Sequence, residues 1–181
     1  TVFPDAGDQL NYSETVIGRL SASTTQAREY EIARVIMDYN DWNSTGSIEV
    51  ELHEVYYDEG SCKKFAIGWG YSDTITGPHL FHMNGGTEVN KFDVIVGSKV
   101  QITGDIYYVP IKVRVRRYSQ CIAIVKTNRV ITTNNVSVGR GEIYLNTEVQ
   151  DSTGATNIDD FTANTHVELN PYATQHTIGN E

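Results

Sequence analysis

Cysteine is scarce in this chain, and its positions exclude a disulfide framework. The 181 residues contain two cysteines, Cys62 and Cys121. Small secreted domains held by bridges carry more of them, and redox or zinc motifs need cysteines close together in sequence. Each thiol is therefore predicted to be a small, buried, apolar residue.

Long apolar runs and an excess of basic residues are also missing. No stretch approaches the roughly 18 consecutive apolar residues of a membrane-spanning helix, and residues 1–8 lack the basic-then-apolar order of a signal peptide. The formal net charge of −9 and the pI near 5.0 disfavour binding to nucleic-acid phosphates or to an anionic membrane. The sequence predicts a soluble domain with no nucleic-acid partner and no membrane insertion.

Motifs that commonly carry chemistry are absent as well. The sequence has no GxSxG elbow, no HExxH, no P-loop and no GxGxxG that opens a helix. His79 and His82 are three positions apart, which in an extended segment places them on opposite faces. The oxygen-rich turn over 38–43 lacks EF-hand spacing, and turn hydrogen bonds are its simpler interpretation. We therefore predict no catalytic residue, no metal site and no cofactor, and a chain that is not an enzyme.

What the sequence does contain is a series of short alternating runs separated by turn residues. In 47–57, for example, Ile48, Val50 and Leu52 alternate with polar residues. A helix could be drawn through 28–37, but its neighbourhood favours a strand with two covered faces. Such frequent strand signals are typical of sandwiches and jelly rolls. We predict an all-β, antiparallel, jelly-roll-like β-sandwich with at most one short helical turn, placed at 157–161.

The length of the chain favours one domain. The strand signals and the core they imply occupy residues 15–169, which are assigned to the sandwich. Residues 1–14 are predicted to be an N-terminal extension, and residues 170–181 a polar C-terminal tail with little to bury.

Charged residues follow the same alternation. Lys112, Arg114 and Arg116 place three cations along one face of a strand in an acidic protein. Their expected partners are cross-strand carboxylates such as Glu49 or Glu51, or an acidic surface of a neighbouring subunit, with an anionic receptor site as the alternative. Glu49 and Glu51 themselves are expected to continue a solvated face.

Aromatic residues beside turns are the best candidates for a ligand site. Exposed Trp and Tyr rings next to amides suit sugar rings and protein hot spots. The adjacent pairs 56–57 and 107–108, all tyrosine, should each present one ring outward. Trp42 and Trp69 are equally open to a role as core anchors. The candidate ligand-binding residues are Trp42, Asn43, Trp69 and Tyr71.

Several longer segments resemble a known family. They are RVIMDYNDWNSTG at 34–46, VELHEVYY at 50–57, KFAIGWGY at 64–71 and VQITGDIYYVP at 100–110, followed by KTNR at 126–129. Together these look like the globular head domains at the ends of phage tail fibres and related receptor-binding proteins. No universal functional motif exists in such heads, so the resemblance transfers no binding residue.

The resemblance implies a fold, an assembly and a role. Such heads are compact β-sandwiches that form trimers and carry host attachment. The chain would then be the non-enzymatic, receptor-binding tip of a homotrimeric viral tail fibre, located in the virion and facing outward. Residues 1–14 would link it to a preceding shaft, and the host cell-surface receptor would be a glycan. The alternatives are a secreted carbohydrate-binding or C1q-like module, a structural capsid or decoration protein, and, among enzymes, a depolymerase.

Overall fold

The structure is a computed structural model that describes residues 9–38, 45–55, 60–70, 74–131 and 142–168. Extended backbone dominates these residues, with one short 3-10 turn at Thr87–Lys91. In chain order the strands are β1 Gln9–Ser21, β2 Ala27–Asp38, β3 Thr45–Glu54, β4 Cys62–Gly70, β5 Thr74–Asn84, β6 Phe92–Val96, β7 Val100–Thr103, β8 Ile106–Val115, β9 Gln120–Ile131, β10 Ile143–Leu145 and β11 Ala155–Ile158.

The strands form two sheets. The first sheet has the order β1-β9-β3-β4-β5, and the second has the order β10-β2-β8-β6, with β11 also paired to β2 and β7 also paired to β8. Neighbouring strands in both sheets run antiparallel. The pairing is nested, since β1 pairs with β9 while β2 pairs with β8, as in a jelly roll. The predicted all-β antiparallel sandwich is confirmed.

The core lies between the two sheets and follows from the alternation of the strands. Ile48, Val50 and Leu52 point inward from β3 and are fully buried, as a strand with one covered face requires. Each such side chain contributes about 1.5–3 kcal/mol by leaving water. Cys62 and Cys121 are both free and buried, so the prediction for the cysteines is confirmed.

A proline lies inside one of the strands. β8 runs through Pro110 without a break. The carbonyl oxygen of Pro110 accepts a hydrogen bond from the Gly97 amide at 2.9 Å, and Gly97 lies just after the end of β6. In a strand, the amide and the carbonyl of one residue point to the same side. The proline nitrogen therefore points toward the end of β6, where the regular hydrogen-bond ladder with β8 stops and no N–H donor is needed.

Some expectations about boundaries need correction. β1 begins at Gln9, so residues 9–14 of the expected extension already belong to the first sheet. Asn157 pairs with Arg28 as part of β11, so the helical turn predicted at 157–161 is wrong. The segment 28–37 is strand, and the tail at 170–181 lies outside the described residues. In the part of the chain that the structure describes, no helix combines the length and apolar character needed to cross a membrane.

Residues 159–168 form an irregular segment, here called the strap, that spans one side of the sandwich. The Ala163 amide bonds the Asn90 carbonyl at 3.1 Å, and the Glu168 amide bonds the Leu80 carbonyl at 2.7 Å. Asp160 binds Arg116 at 3.0 Å near the end of β8. The strap therefore ties the second sheet to β5 at the edge of the first.

Candidate functional site

The predicted ligand residues are not assembled into a surface site by the described part of the chain. Trp69 is 5% exposed and belongs to the core between the sheets, so it takes the anchor role that the sequence had left open. Its ring is not available as a binding platform on this chain. Trp42, Asn43 and Tyr71 lie outside the described residues.

The basic stripe on β8 is neutralised within the chain. Lys112 Nζ lies 3.1 Å from one carboxylate oxygen of Glu29, and Arg114 Nε lies 2.7 Å from the other. Partial burial of Glu29 raises its pKa, but hydrogen bonds from Arg114 and Lys112 outweigh this, so the pKa is below its usual value. The prediction of cross-strand pairing is confirmed.

The partners, however, are not the carboxylates named from the sequence. Glu29 on β2 and Asp160 on the strap take the places suggested for Glu49 and Glu51. Because these cations already have partners, the stripe offers little to an anionic receptor. It also needs no acidic surface from a neighbouring subunit, so this argument for a trimer is lost.

Glu51 is not the solvated residue that the alternation predicted. It is 7% exposed, and its carboxylate lies 2.6 Å from Lys126, 3.7 Å from Lys64 and 3.2 Å from His53. Desolvation raises the pKa of Glu51, but the hydrogen bonds from Lys126 and His53 outweigh it, so the pKa is lowered. The long lysines of β9 and β4 cover the carboxylate, which is why the prediction for Glu51 was wrong.

Cys62 extends this cluster and gives it a superficial likeness to an activated thiol. His53 Nε2 lies 4.0 Å from Cys62 Sγ and 3.2 Å from a Glu51 oxygen. A base that removes a thiol proton needs its second nitrogen for the orienting carboxylate, and here one nitrogen makes both contacts. Burial raises the pKa of Cys62, whereas a nucleophilic cysteine needs a lowered one. The arrangement supports packing better than catalysis.

This interpretation predicts the behaviour of both thiols. In the native protein, neither Cys62 nor Cys121 should react appreciably with a disulfide reagent at neutral pH, because both are buried and burial raises the pKa of Cys121 to about 12. Both should react once the chain is unfolded in denaturant. Rapid labelling of the native protein that disappears in Cys62→Ser would instead identify an activated thiol.

A well-formed groove lies on the outer face of the second sheet and is here called the β2–β8 groove. It encloses about 540 Å³, a size suited to a small ligand. Four strands contribute to it, since β2 and β8 form its floor while β7 and β10 form its two sides. Its lining residues are Glu31, Ala33, Arg34, Ile36, Ile102, Tyr108, Tyr144, Leu145 and Asn146.

An acid–base pair lies on the floor of the groove. Arg34 Nε is 2.8 Å from one oxygen of Glu31, and a terminal guanidinium nitrogen is 3.2 Å from the other. The guanidinium also stacks over the Tyr108 ring, 4.3 Å from its centroid. In a regular strand, positions 31 and 34 would face opposite sides. The register shift between Glu31 and Ala33 brings them to the same face.

Exposed apolar side chains flank this pair. Tyr144 on β10 is 54% exposed and lies opposite Arg34 in the ladder, while Ile102 on β7 is 51% exposed. The Tyr144 hydroxyl donates to Glu142 at 2.7 Å, which raises the pKa of Tyr144 and fixes the orientation of the ring. The groove therefore combines an oriented aromatic surface with a carboxylate and a guanidinium.

Sequence reasoning found only one member of this site. The Tyr107–Tyr108 pair predicted one outward ring, and Tyr108 provides it, whereas the Tyr107 ring lies 4.8 Å from Lys99 Nζ. Arg34 and Glu31 gave no signal, because their common face depends on the strand irregularity. Tyr144 lies in a short strand whose neighbour is far away in sequence.

A second hollow of about 400 Å³ lies nearby, lined by Tyr12, Ser13, Thr127, Arg129, Glu142 and Ile143. The hydroxyls of Ser13 and Thr127 hydrogen-bond to each other. The β2–β8 groove is the larger of the two and is therefore the better candidate site. Among the described ranges, no group of three or more His, Cys, Asp or Glu side chains could hold a metal ion.

No family model, curated protein or solved structure matches this chain. The chemistry of the groove therefore carries the functional argument.

Proposed function

We propose that this chain is a non-enzymatic receptor-binding head domain that holds a cell-surface glycan in the β2–β8 groove, as the tip of a trimeric viral tail fibre. The observation that carries the proposal is the exposed Tyr144 ring beside the Arg34–Glu31 pair. Sugar rings are amphipathic, with an apolar C–H face and a rim of hydroxyls, so they need both kinds of surface at once.

The site is built on strands rather than on loops. Arg34 and Glu31 belong to β2, which pairs with β8 on one side and with β10 on the other. A ligand that enters such a site does not have to order the backbone around it, so more of the contact energy appears as affinity. This favours recognition of a small, weakly binding sugar unit.

The viral assignment rests on the resemblance to tail-fibre heads. Two of the segments that carry it, 34–46 and 100–110, contribute Arg34, Ile36, Ile102 and Tyr108 to the groove. The same groove also suits a secreted carbohydrate-binding or C1q-like module, which is the second candidate. Light scattering tests the assembly: a stable mass near three times 20.2 kDa agrees with the fibre tip, and a monomer at all dilutions contradicts it.

The groove itself is tested by replacing Tyr144 with alanine. Loss of a stacking ring from a binding site removes about 1–3 kcal/mol, so binding on a glycan array should weaken at least about fivefold. Tyr118 is equally exposed, at 54%, and lies outside the groove, so Tyr118→Ala is the matched control and should bind normally. Equal binding by both variants would exclude the groove, and cleavage of a polysaccharide would contradict the non-enzymatic role.

A further inference from the structure

We infer that the β2–β8 groove selects an uncharged saccharide with two neighbouring hydroxyl groups, and that Glu31 is the residue that excludes anionic sugars. This inference rests on the proposed function, since it assumes that the groove binds a glycan. It goes further by naming the chemical class of the ligand and the residue that sets it.

The charges at the groove favour a neutral ligand. Its lining contains one acidic and one basic side chain, Glu31 and Arg34, and the two hydrogen bonds between them balance the charges of the pair. An anionic sugar would have to break the bidentate pair and then lie against an unpaired carboxylate, where the like charges repel each other.

The same pair is well arranged for hydroxyl groups. The side chains of Arg34 and Glu31 remain 46% and 30% exposed, so their outward N–H groups and oxygen lone pairs can still reach a ligand. A hydroxyl both donates and accepts. One sugar hydroxyl can therefore accept from Arg34 while its neighbour donates to Glu31, and these charge-assisted bonds are stronger than those between neutral groups.

Position along the groove is set by the apolar flanks. Tyr144 lies directly across the ladder from Arg34, so a ring stacked on Tyr144 places its hydroxyl rim toward the pair. Tyr108 does not offer a second stacking surface, because the guanidinium of Arg34 covers its ring. The arrangement thus places one sugar unit against Tyr144 and the Arg34–Glu31 pair.

The decisive experiment compares matched glycans on Glu31→Gln. The probes are an array of neutral oligosaccharides, each printed beside its sialylated or sulfated counterpart. Wild type should bind neutral members at least about tenfold better than their anionic counterparts, which corresponds to about 1.4 kcal/mol. Glutamine keeps the shape and a hydrogen-bond acceptor but leaves the Arg34 charge unbalanced. The ratio of neutral to anionic glycan binding should therefore fall by a similar factor.

Arg34→Lys is the second variant, and it keeps the charge balance while it loses the planar fork and the stack on Tyr108. It should bind neutral glycans more weakly with an unchanged preference for them. A wild-type preference for anionic glycans, or an unchanged ratio in Glu31→Gln that has a wild-type melting temperature, would overturn the inference while leaving glycan binding intact. Absence of binding to every glycan would instead overturn the proposed function.

Discussion

Replacing Gly46 with alanine should destabilise the sandwich by about 3 kcal/mol, because added atoms in a filled core force the surrounding structure apart. A Cβ atom at this position would lie 2.4 Å from Trp69 Cζ2 and 2.5 Å from the backbone carbonyl oxygen of Asn128. The Trp69 ring is held in the core, and the carbonyl belongs to β9, which pairs with β3 at this position. Neither contact can be relieved by a simple rotation of a surface side chain.

The measurement is urea unfolding of purified variants, followed by tryptophan fluorescence and circular dichroism. Gly70→Ala is the matched control, because this glycine follows Trp69 on β4 and a Cβ there meets nothing within 4 Å. The control should change the free energy of unfolding by less than about 1 kcal/mol. If both variants lose the same small free energy of unfolding, the space between Gly46 and the Trp69 ring can accommodate a methyl group and the prediction is wrong.

The parts of the fold that the sequence predicted correctly depend on local pattern. The alternation of Ile48, Val50 and Leu52 is visible within six residues, and it is enough to assign β3 and its buried face. The free, buried cysteines follow equally directly from their number and spacing. In such cases each residue's own neighbours in sequence carry the needed signal.

The errors arose where a distant strand decides the outcome. The helical turn expected at 157–161 is instead partly strand, because Asn157 pairs with Arg28 on β2. Glu51 is buried because Lys126 reaches it from β9. An alternating pattern predicts which face a side chain occupies but not what covers that face.

The candidate site had even less local signal. Glu31 and Arg34 share a face only because the register of β2 shifts against β8 between them, and Tyr144 meets Arg34 through a pairing between β10 and β2. Trp69 shows the same limit for a candidate that was named from the sequence. The local pattern of an aromatic residue at a strand end does not distinguish a buried ring from an exposed one. The site therefore required the topology, whereas the fold class did not.

Nothing in the sequence pattern distinguishes Lys63, yet its replacement is the second change for which we expect a large effect. Its side chain is completely buried and lies between the sheets at the side closed by the strap. The ammonium donates to the carbonyl of Phe92 at 2.9 Å and to the carbonyl of Asn164 on the strap, and it lies 5.5 Å from the centroid of the Phe65 ring. Asp93 in turn accepts from the Asn164 amide at 3.1 Å, so one buried cation joins β4, β6 and the strap.

Lys63→Met should therefore lower the free energy of unfolding by about 2 kcal/mol at pH 7. Two buried carbonyls lose their donor, at about 1–3 kcal/mol each, and this loss is partly offset because methionine does not bury a charge. The strap should also exchange its amide hydrogens faster, starting with Ala163 and Asn164. Lys64→Met is the matched control: Lys64 is the next residue, part-exposed, with a 3.7 Å ion pair to Glu51, and its loss should cost less than about 1 kcal/mol.

The pH dependence gives an independent test of the same contact. Desolvation lowers the pKa of Lys63 from 10.5 to about 8, although Asp93 opposes the shift. Between those two values the unfolded chain holds a proton that the folded chain has lost, so this group's contribution to stability rises with pH there and is flat below about pH 8. The pKa values of Tyr30 and Cys121 are raised, so their contributions to stability fall as the pH rises. Wild type and Lys63→Met both contain these two residues, so their contributions cancel in the difference between the two proteins. That difference should widen from pH 8 to pH 9.5. A constant gap over this range would mean that Lys63 keeps its proton in the folded state, held by the two carbonyls and Asp93 more strongly than burial disfavours it.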